Sequence, residues 1–144
     1  MIESIFSTIN LIAMAAWVLL IFLPKWRWTF AIVASGAVSV ILGIIYIYFL
    51  VSALSGGLEM DFGSLASVKA LFQDDQAVLI GWAHYLAFDL FVGAWMVSNA
   101  QREGINHWLI VPCLLATFML GPTGLVLYVI LRAVMTKKVL HENF

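Results

Sequence analysis

The residues best suited to chemistry are three side chains in one apolar stretch, His84, Tyr85 and Asp89. Ionisable groups at membrane depth cost at least about 2.5 kcal/mol each on insertion scales, so they are functional candidates. Tyr85 lies one helical turn before Asp89 and can donate a hydrogen bond to its carboxylate. His84 and Asp89 are about 140° apart on a helix, so they border one cavity only if that helix is contacted on two sides. We predict that these three residues are catalytic.

A second group of side chains is predicted to bind a flat, apolar substrate, because aromatic, small and polar residues occur together in the spans. The predicted substrate-binding residues are Trp82, Phe88, Phe91, Trp95, Thr117, Gly121, Tyr128 and Asn10. The structural alternative is that the aromatic residues only pack, that the small residues allow close helix approach, and that Asp89 is an interhelical strut. Arg132 is predicted to be a snorkelling anchor at a span end.

Metal chemistry has only weak support in the sequence. His84 and Asp89 are the credible ligands, with Glu59 or Asp61 as further carboxylates. A non-haem iron site uses two histidines and a carboxylate, and His84 is the only histidine well inside an apolar stretch. The cofactor is therefore unknown, and iron is expected only if the reaction is an oxidative cleavage.

Composition indicates an integral membrane protein. Of the 144 residues, 64% are hydrophobic and 10% are charged, and the mean hydropathy is +1.05. Soluble proteins carry about 25% charged residues. The net charge of −1 gives no basic face for nucleic acid. A single cysteine, Cys113, excludes an internal disulfide.

Four apolar stretches are long enough to cross a hydrocarbon core of about 30 Å as helices. They lack the alternation of barrel strands, and backbone groups in lipid must be bonded internally. We predict an all-α fold, a single domain over 1–144, with membrane spans at about 2–23, 29–54, 77–99 and 107–133. An even number of spans places both termini on one side, and the flanking basic residues, which include Lys138, favour the inside only weakly.

The connection between the second and third spans carries its own helical pattern. Its apolar residues recur at steps of three and four, namely Phe62, Leu65, Val68, Leu71 and Phe72. The pattern predicts a short amphipathic helix on the membrane surface, as a lid over one end of the bundle. The alternative is a plain surface linker.

Helix-breaking residues are concentrated in the fourth predicted span, at Pro112 and at Gly121-Pro122. They predict a kinked helix whose freed carbonyls line a cavity. A transporter would carry paired broken helices in both halves. Because only the last span has this pattern, transport is disfavoured.

The third and fourth spans resemble a known family. The run from His84 to Phe91, with Pro112-Cys113 and the segment from Gly121 to Gly124, is similar to the abscisic-acid-deficient-four-like membrane proteins. The plant members are linked to neoxanthin synthesis from violaxanthin, so the resemblance implies a small four-helix membrane protein that handles a carotenoid. Without a transit peptide, the chain is expected to be a microbial member, multi-pass in a bacterial inner membrane.

The residues and the resemblance together predict a carotenoid-modifying membrane enzyme. Two reactions stay open. One is isomerisation or ring-epoxide opening of a xanthophyll, with Asp89 and His84 exchanging protons with the substrate. The other is oxidative cleavage of β-carotene to retinal, which needs a metal or radical centre. The alternative is a non-catalytic carotenoid-binding or assembly protein. The expected partners are a carotenoid or related apolar isoprenoid and membrane lipid, not nucleic acid, and a homo-oligomer stays open.

Overall fold

The protein is helical throughout the part that the structure describes. The structure is a computed structural model and describes residues 2–137; Lys138 and His141 lie outside them. The helices are α1 (Ile2–Phe22), α2 (Ala37–Ser55), α3 (Leu65–Leu71), α4 (Asp75–Arg102), α5 (His107–Leu120) and α6 (Pro122–Thr136), with a π-helical segment, Thr29–Ala34, before α2. Residues 2–137 contain no strand, so the all-α prediction is confirmed for them.

Three of these helices, α1, α2 and α4, are long and apolar enough to cross a membrane. They contain 21, 19 and 28 residues, and at about 1.5 Å per residue even the shortest nearly matches a hydrocarbon core of about 30 Å. Helix α4 is central, because it packs against α1, α2, the π-helical segment, α5 and α6. It is therefore contacted on more than one side, as the prediction for His84 and Asp89 required.

Close packing of α1 on α4 depends on a glycine. The ring of Trp17, which is 2% exposed, lies on Gly93, where an added Cβ would come within 2.5 Å of a ring carbon. Small residues permit such close helix approach in membranes. Helices α1 and α4 therefore make a close contact at Trp17 and Gly93, near the middle of α4.

We expect Gly93→Ala to destabilise the protein by about 1–3 kcal/mol, because the added methyl group overpacks the contact with Trp17. Thermal unfolding of the purified protein in detergent measures this loss. Trp17→Phe combined with Gly93→Ala should restore part of the loss, since the smaller ring leaves room for the methyl group. Equal midpoints for Gly93→Ala and the wild type would contradict the close contact.

The second predicted span, 29–54, is not one continuous helix, and that prediction is wrong at its start. The π-helical segment ends at Ala34, and Gly36 has a φ of +83° before α2 begins. Glycine adopts this left-handed conformation at no steric cost. The ring of Phe91 in α4 lies 3.7 Å from the Cβ position of Gly36. The expectation that only the last span is broken is therefore also wrong.

The fourth predicted span, 107–133, is a helical hairpin rather than a single kinked helix. At Gly121 the chain turns with a φ of +44°, and α6 then packs on α5. A Cβ at Gly124 would overlap the Thr117 backbone and the Cys113 carbonyl oxygen. A straight helix would separate Cys113 from Gly124 by about 16 Å, so the contact shows that α6 folds back. The hairpin helices contain only 14 and 15 residues, and the prediction of a fourth crossing helix is not confirmed.

Polar residues anchor the open end of this hairpin to the last turns of α4. The Tyr128 hydroxyl donates to Asn99 Oδ1 at 2.6 Å, and the Trp95 ring packs edge-on against Tyr128 with centroids 5.4 Å apart. Arg132, one turn after Tyr128, is only 2% exposed. The prediction that Arg132 snorkels is therefore wrong, because its side chain is enclosed by protein.

The hairpin changes the expected topology. Ile2 and Glu3 of α1 line a cavity with Asp75 at the start of α4, whereas α6 returns toward the other end of α4 through Tyr128 and Asn99. The two ends of the described chain therefore lie at opposite ends of the bundle. The prediction that both termini share one side counted the hairpin as a crossing, and the described residues do not confirm it.

The connecting helix α3 is present, as the pattern predicted. Its N-cap is Ser64, whose hydroxyl accepts a hydrogen bond from the Ser67 backbone N–H at 3.0 Å. Phe62 and Leu65 expose 69% and 72% of their surface. Outward-facing apolar side chains beside polar loop residues are typical of a helix lying at a membrane surface. Its role as a lid stays a prediction.

Candidate functional site

The tip of the α5–α6 hairpin meets a carboxyl group of α4. A Cβ at Gly121 would come within 2.9 Å of an Asp89 carboxyl oxygen, so the glycine permits this close approach. Asp89 follows Asp75 by 14 residues, or about 21 Å along the helix, and thus lies half-way down α4. A chain turn at membrane depth is tolerated where protein buries it. Asp89 is one of the residues that surround the turn at Gly121.

Asp89 has unused hydrogen-bonding capacity. Its Oδ2 atom is buried and has no hydrogen-bond partner. Beside it, the Tyr85 hydroxyl donates to the Phe118 carbonyl oxygen at 3.1 Å. Buried polar atoms in proteins are nearly always bonded. An orphaned carboxyl oxygen therefore marks a place where a ligand or a proton is expected.

Aromatic and amide side chains continue this site toward the start of α1. The Trp82 ring lies 5.3 Å from Tyr85, and its Nε1–H donates to Asn10 Oδ1 at 3.0 Å. The Phe6 ring also packs against the Trp82 ring, with centroids 5.7 Å apart. Beyond Phe6 lies a cavity of about 690 Å³ that Asp75 also lines. We call Asn10, Trp82, Tyr85, Asp89 and Gly121 the Asp89 cluster.

His84 lies on a different side of α4 from the Asp89 cluster. Its ring stacks on Phe88 with centroids 4.6 Å apart and meets Tyr46 of α2 edge-on at 5.6 Å. Phe88 and Phe91 line a separate groove between α2 and α4. The structure therefore does not bring His84 to Asp89, because the angle of about 140° between them directs the two side chains to different neighbouring helices.

The remaining predicted binding residues lie inside the hairpin and its contact with α4. Thr117 is fully buried, and its hydroxyl donates to the Cys113 carbonyl oxygen at 2.9 Å. Tyr128, also fully buried, is bonded to Asn99 and packed on Trp95. The positions of Thr117 and Tyr128 suit a structural role, in which these residues hold the hairpin in place. Substrate contact by Thr117, Tyr128 and Trp95 stays a prediction.

Sequence reasoning missed three participants. Asn99 bonds Tyr128, and Phe6 packs on Trp82. Phe118 contributes its backbone carbonyl to Tyr85. Asn99 could have been found by the argument that selected Asp89, because it is a polar residue late in an apolar span. No sequence signal marks the Phe118 carbonyl, since its role depends on where the hairpin turns.

Comparison with known proteins identifies the family. The ABA DEFICIENT 4-like family model matches residues 4–128. The chain belongs to the ABA DEFICIENT 4-like family. The match includes every residue of the Asp89 cluster, and it confirms the resemblance found in the third and fourth predicted spans. No curated protein and no solved structure matches the sequence. For this ABA DEFICIENT 4-like protein, membership indicates a membrane function related to carotenoids; a microbial source stays a prediction.

The donor atoms within the described residues of this ABA DEFICIENT 4-like protein do not form a metal centre. Within residues 2–137, no three His, Cys, Asp or Glu side chains come close enough together to hold a metal ion. Asp61 accepts a hydrogen bond from the Gly63 backbone N–H at 2.7 Å, and hydrogen bonds from Ser67 and then Gly63 hold the pKa of Asp61 below its usual 3.8. Asp61 and Glu59 belong to the loop before α3, so they do not complete an iron site with His84 or Asp89.

Proposed function

We propose that the protein is a carotenoid-modifying integral membrane enzyme that isomerises its substrate by acid–base catalysis at Asp89. The observation that carries the proposal is the orphaned Oδ2 atom of Asp89, half-way down α4 beside the hairpin tip. A carboxyl group at this depth is expensive. A purely structural role would pair both of its oxygens, as buried polar groups usually are.

A single carboxyl group suits an isomerisation, because the reaction returns every proton that it uses. With a ring epoxide, the protonated Asp89 gives its proton to the epoxide oxygen as a carbon–oxygen bond breaks. The resulting carboxylate then takes a proton from the neighbouring chain carbon as a new double bond forms. The product has the same atoms as the substrate, and Asp89 regains its proton. Tyr85 is a positioning residue, held by its bond to Phe118.

The surroundings of Asp89 suit an elongated apolar substrate. A carotenoid is about as long as the hydrocarbon core is thick, about 30 Å. From Asp89, the face formed by Trp82 and Phe6 leads toward the cavity near Asp75, about 21 Å away along α4. A substrate inserted end-on would place its reacting ring at Asp89 and its polyene chain along these aromatic rings.

The arrangement of the possible metal ligands favours isomerisation over oxidative cleavage. Cleavage of β-carotene to retinal needs a redox centre, and within residues 2–137 His84 and Asp89 are not gathered with a third ligand. Non-catalytic carotenoid binding is the second candidate. It is favoured by the Trp82 side chain, which holds a hydrogen bond to Asn10 and packs on Tyr85 without needing any proton transfer. A bacterial inner membrane is the proposed location.

The test is co-expression in a carotenoid-free bacterial host that is engineered to make either β-carotene or a ring-epoxidised xanthophyll. Pigments are extracted and resolved by chromatography with mass detection. We expect a new isomer of the epoxide with unchanged mass, absent with Asp89→Asn, and no change to β-carotene. Formation of retinal would replace the proposal with oxidative cleavage. Unchanged pigments that co-purify with the protein would replace it with the binding function.

A further inference from the structure

A cavity of about 970 Å³ lies where the end of α1 meets the loop between α4 and α5. We call it the α1–α5 cavity. Its lining includes Lys25, Trp26, Gln101, His107 and Trp108. Gln101 follows Asp89 by 12 residues, or about 18 Å further along α4. The cavity is therefore separate from the Asp89 cluster.

Two long-range hydrogen bonds fix the walls of the α1–α5 cavity. His107 Nε2 is bonded to the Ile21 carbonyl oxygen at 2.9 Å, and because a carbonyl oxygen only accepts, this nitrogen is the donor. The Gln101 side-chain amide donates to the Pro24 carbonyl oxygen at 3.2 Å. These bonds cross 86 and 77 positions of sequence, and they hold the end of α1 against both sides of the α4–α5 loop. The cavity is thus a feature of the packed fold.

The charge of the lining favours an anion. Among the described residues that line the α1–α5 cavity, Lys25 supplies a positive charge and no side chain is a carboxylate. Glu103 belongs to the same loop, but it does not line the cavity and has interactions of its own. The cavity at the other end of the bundle is the reverse, since its described lining includes Glu3 and Asp75 and no lysine or arginine. Opposite charges attract, so the α1–α5 cavity is the better place for a negatively charged group.

Basic side chains are gathered at this end of the bundle because the hairpin folds back. Helix α6 returns toward the last turns of α4, where Tyr128 bonds Asn99, and it brings its basic residues with it. The basic residues of the described chain at this end are Lys25, Arg27, Arg102, Arg132 and Lys137, and Lys69 alone lies at the other end. The positive-inside rule assigns this end to the cytoplasmic surface, whose leaflet carries anionic lipids.

Aromatic side chains border the cavity where it meets the membrane. Trp26 and Trp108 are 47% and 66% exposed, and Phe22, the last residue of α1, is 63% exposed. Tryptophan is favoured at the level of the lipid headgroups, and the exposed Phe22 ring offers a surface to an acyl chain. A free phosphate ion makes no use of these rings, whereas a phospholipid contacts them and Lys25 together.

We propose that the α1–α5 cavity binds an anionic phospholipid, with its phosphate at Lys25 and its acyl chains along Phe22 and Trp108. Basic pockets between membrane helices at the cytoplasmic surface bind headgroups of this kind. The lipid shares its phosphate chemistry with a free phosphate ion and differs from it by the chains. Because the headgroup contacts both the end of α1 and the start of α5, the lipid stabilises the attachment of the hairpin. The site does not depend on chemistry at Asp89.

Native mass spectrometry of the purified protein in detergent, titrated with phosphatidylglycerol or phosphatidylcholine, measures the affinity for the first bound lipid. One lysine near an anionic lipid is worth about fivefold in affinity, so the wild type should bind phosphatidylglycerol tighter by about that factor. Lys25→Gln should bind the two lipids equally, and Lys25→Arg should keep the preference. Lys69→Gln removes the same charge from an exposed position in α3 at the other end of the bundle. It is the matched control and should also keep the preference.

Thermal unfolding distinguishes a lipid from a free phosphate. Phosphatidylglycerol should raise the midpoint of the wild type more than phosphatidylcholine does, and the two lipids should act equally on Lys25→Gln. Inorganic phosphate at matched ionic strength should leave the midpoint unchanged; a rise equal to that with phosphatidylglycerol would replace the lipid with a soluble phosphate. Equal affinities of the wild type for the two lipids, or a preference that survives in Lys25→Gln, would overturn the proposal. Loss of the preference in Lys69→Gln would also overturn it, because the attraction would then come from overall charge.

Discussion

Asp89→Asn is expected to lower the rate of carotenoid conversion by at least about 100-fold while pigment binding is kept. Asparagine has the same shape and keeps the packing against Gly121, but it can neither give nor take the proton. General acid–base groups typically contribute 10²–10⁴-fold to a rate, so about 100-fold is the lower bound. Initial rates of product formation by purified protein in nanodiscs, with the epoxidised substrate, measure the effect.

The matched control for this substitution is Asp61→Asn. Asp61 is also a carboxylate, but it is exposed in the loop before α3 and is not part of the aromatic face that leads from Asp89 toward Asp75. Its substitution should leave the conversion rate unchanged. Full activity of Asp89→Asn would remove Asp89 from the chemistry. A loss of activity that results from misfolding would be recognised by a lowered thermal unfolding midpoint. We expect the midpoint of Asp89→Asn to stay near that of the wild type.

Gly124→Ala is expected to destabilise the protein by about 3 kcal/mol, at the upper end of the range for overpacking. The new Cβ would overlap the Thr117 backbone nitrogen and the Cys113 carbonyl oxygen, and backbone atoms cannot move aside as a flexible side chain does. The two hairpin helices must then separate. Because the hairpin tip positions Gly121 against Asp89, conversion should fall together with stability.

Thermal unfolding in detergent and the conversion rate are the two measurements for Gly124→Ala. Gly43→Ala is the matched control, since it adds the same methyl group to a membrane helix where nothing lies within 4 Å. It should be as stable as the wild type or slightly more stable, because alanine favours helix more than glycine does. A Gly124→Ala protein with wild-type stability would contradict the folded-back packing of α6 on α5.

The candidate site shows how far sequence reasoning reached. A separation of four residues places Tyr85 and Asp89 on one helical face, but in the structure the Tyr85 hydroxyl donates to the Phe118 carbonyl oxygen. The link from Trp82 to Asn10 could not be predicted, since it crosses 72 positions of sequence. The sequence allows His84 and Asp89 to border one cavity if their helix is contacted on two sides, but the structure directs His84 to Tyr46 of α2.

The fold shows the same limit. The predicted spans at 2–23 and 77–99 correspond to α1 and α4 because uninterrupted apolar length is a local property. The predicted spans that begin at residues 29 and 107 are each interrupted at a glycine, Gly36 and Gly121. A glycine permits many turn angles, so its presence marks a place for a turn without stating the angle.

The sequence by itself indicated a membrane protein and singled out Asp89 as a costly side chain at membrane depth. Both follow from composition and local spacing, because the cost of placing a residue in hydrocarbon depends on its own chemistry. Only the tertiary structure decided that the last apolar stretch folds back on itself and brings Gly121 to Asp89. That outcome depends on the fit of Gly124 to Thr117 and on the bond from Tyr128 to Asn99, contacts that exist only once distant parts of the chain have packed together.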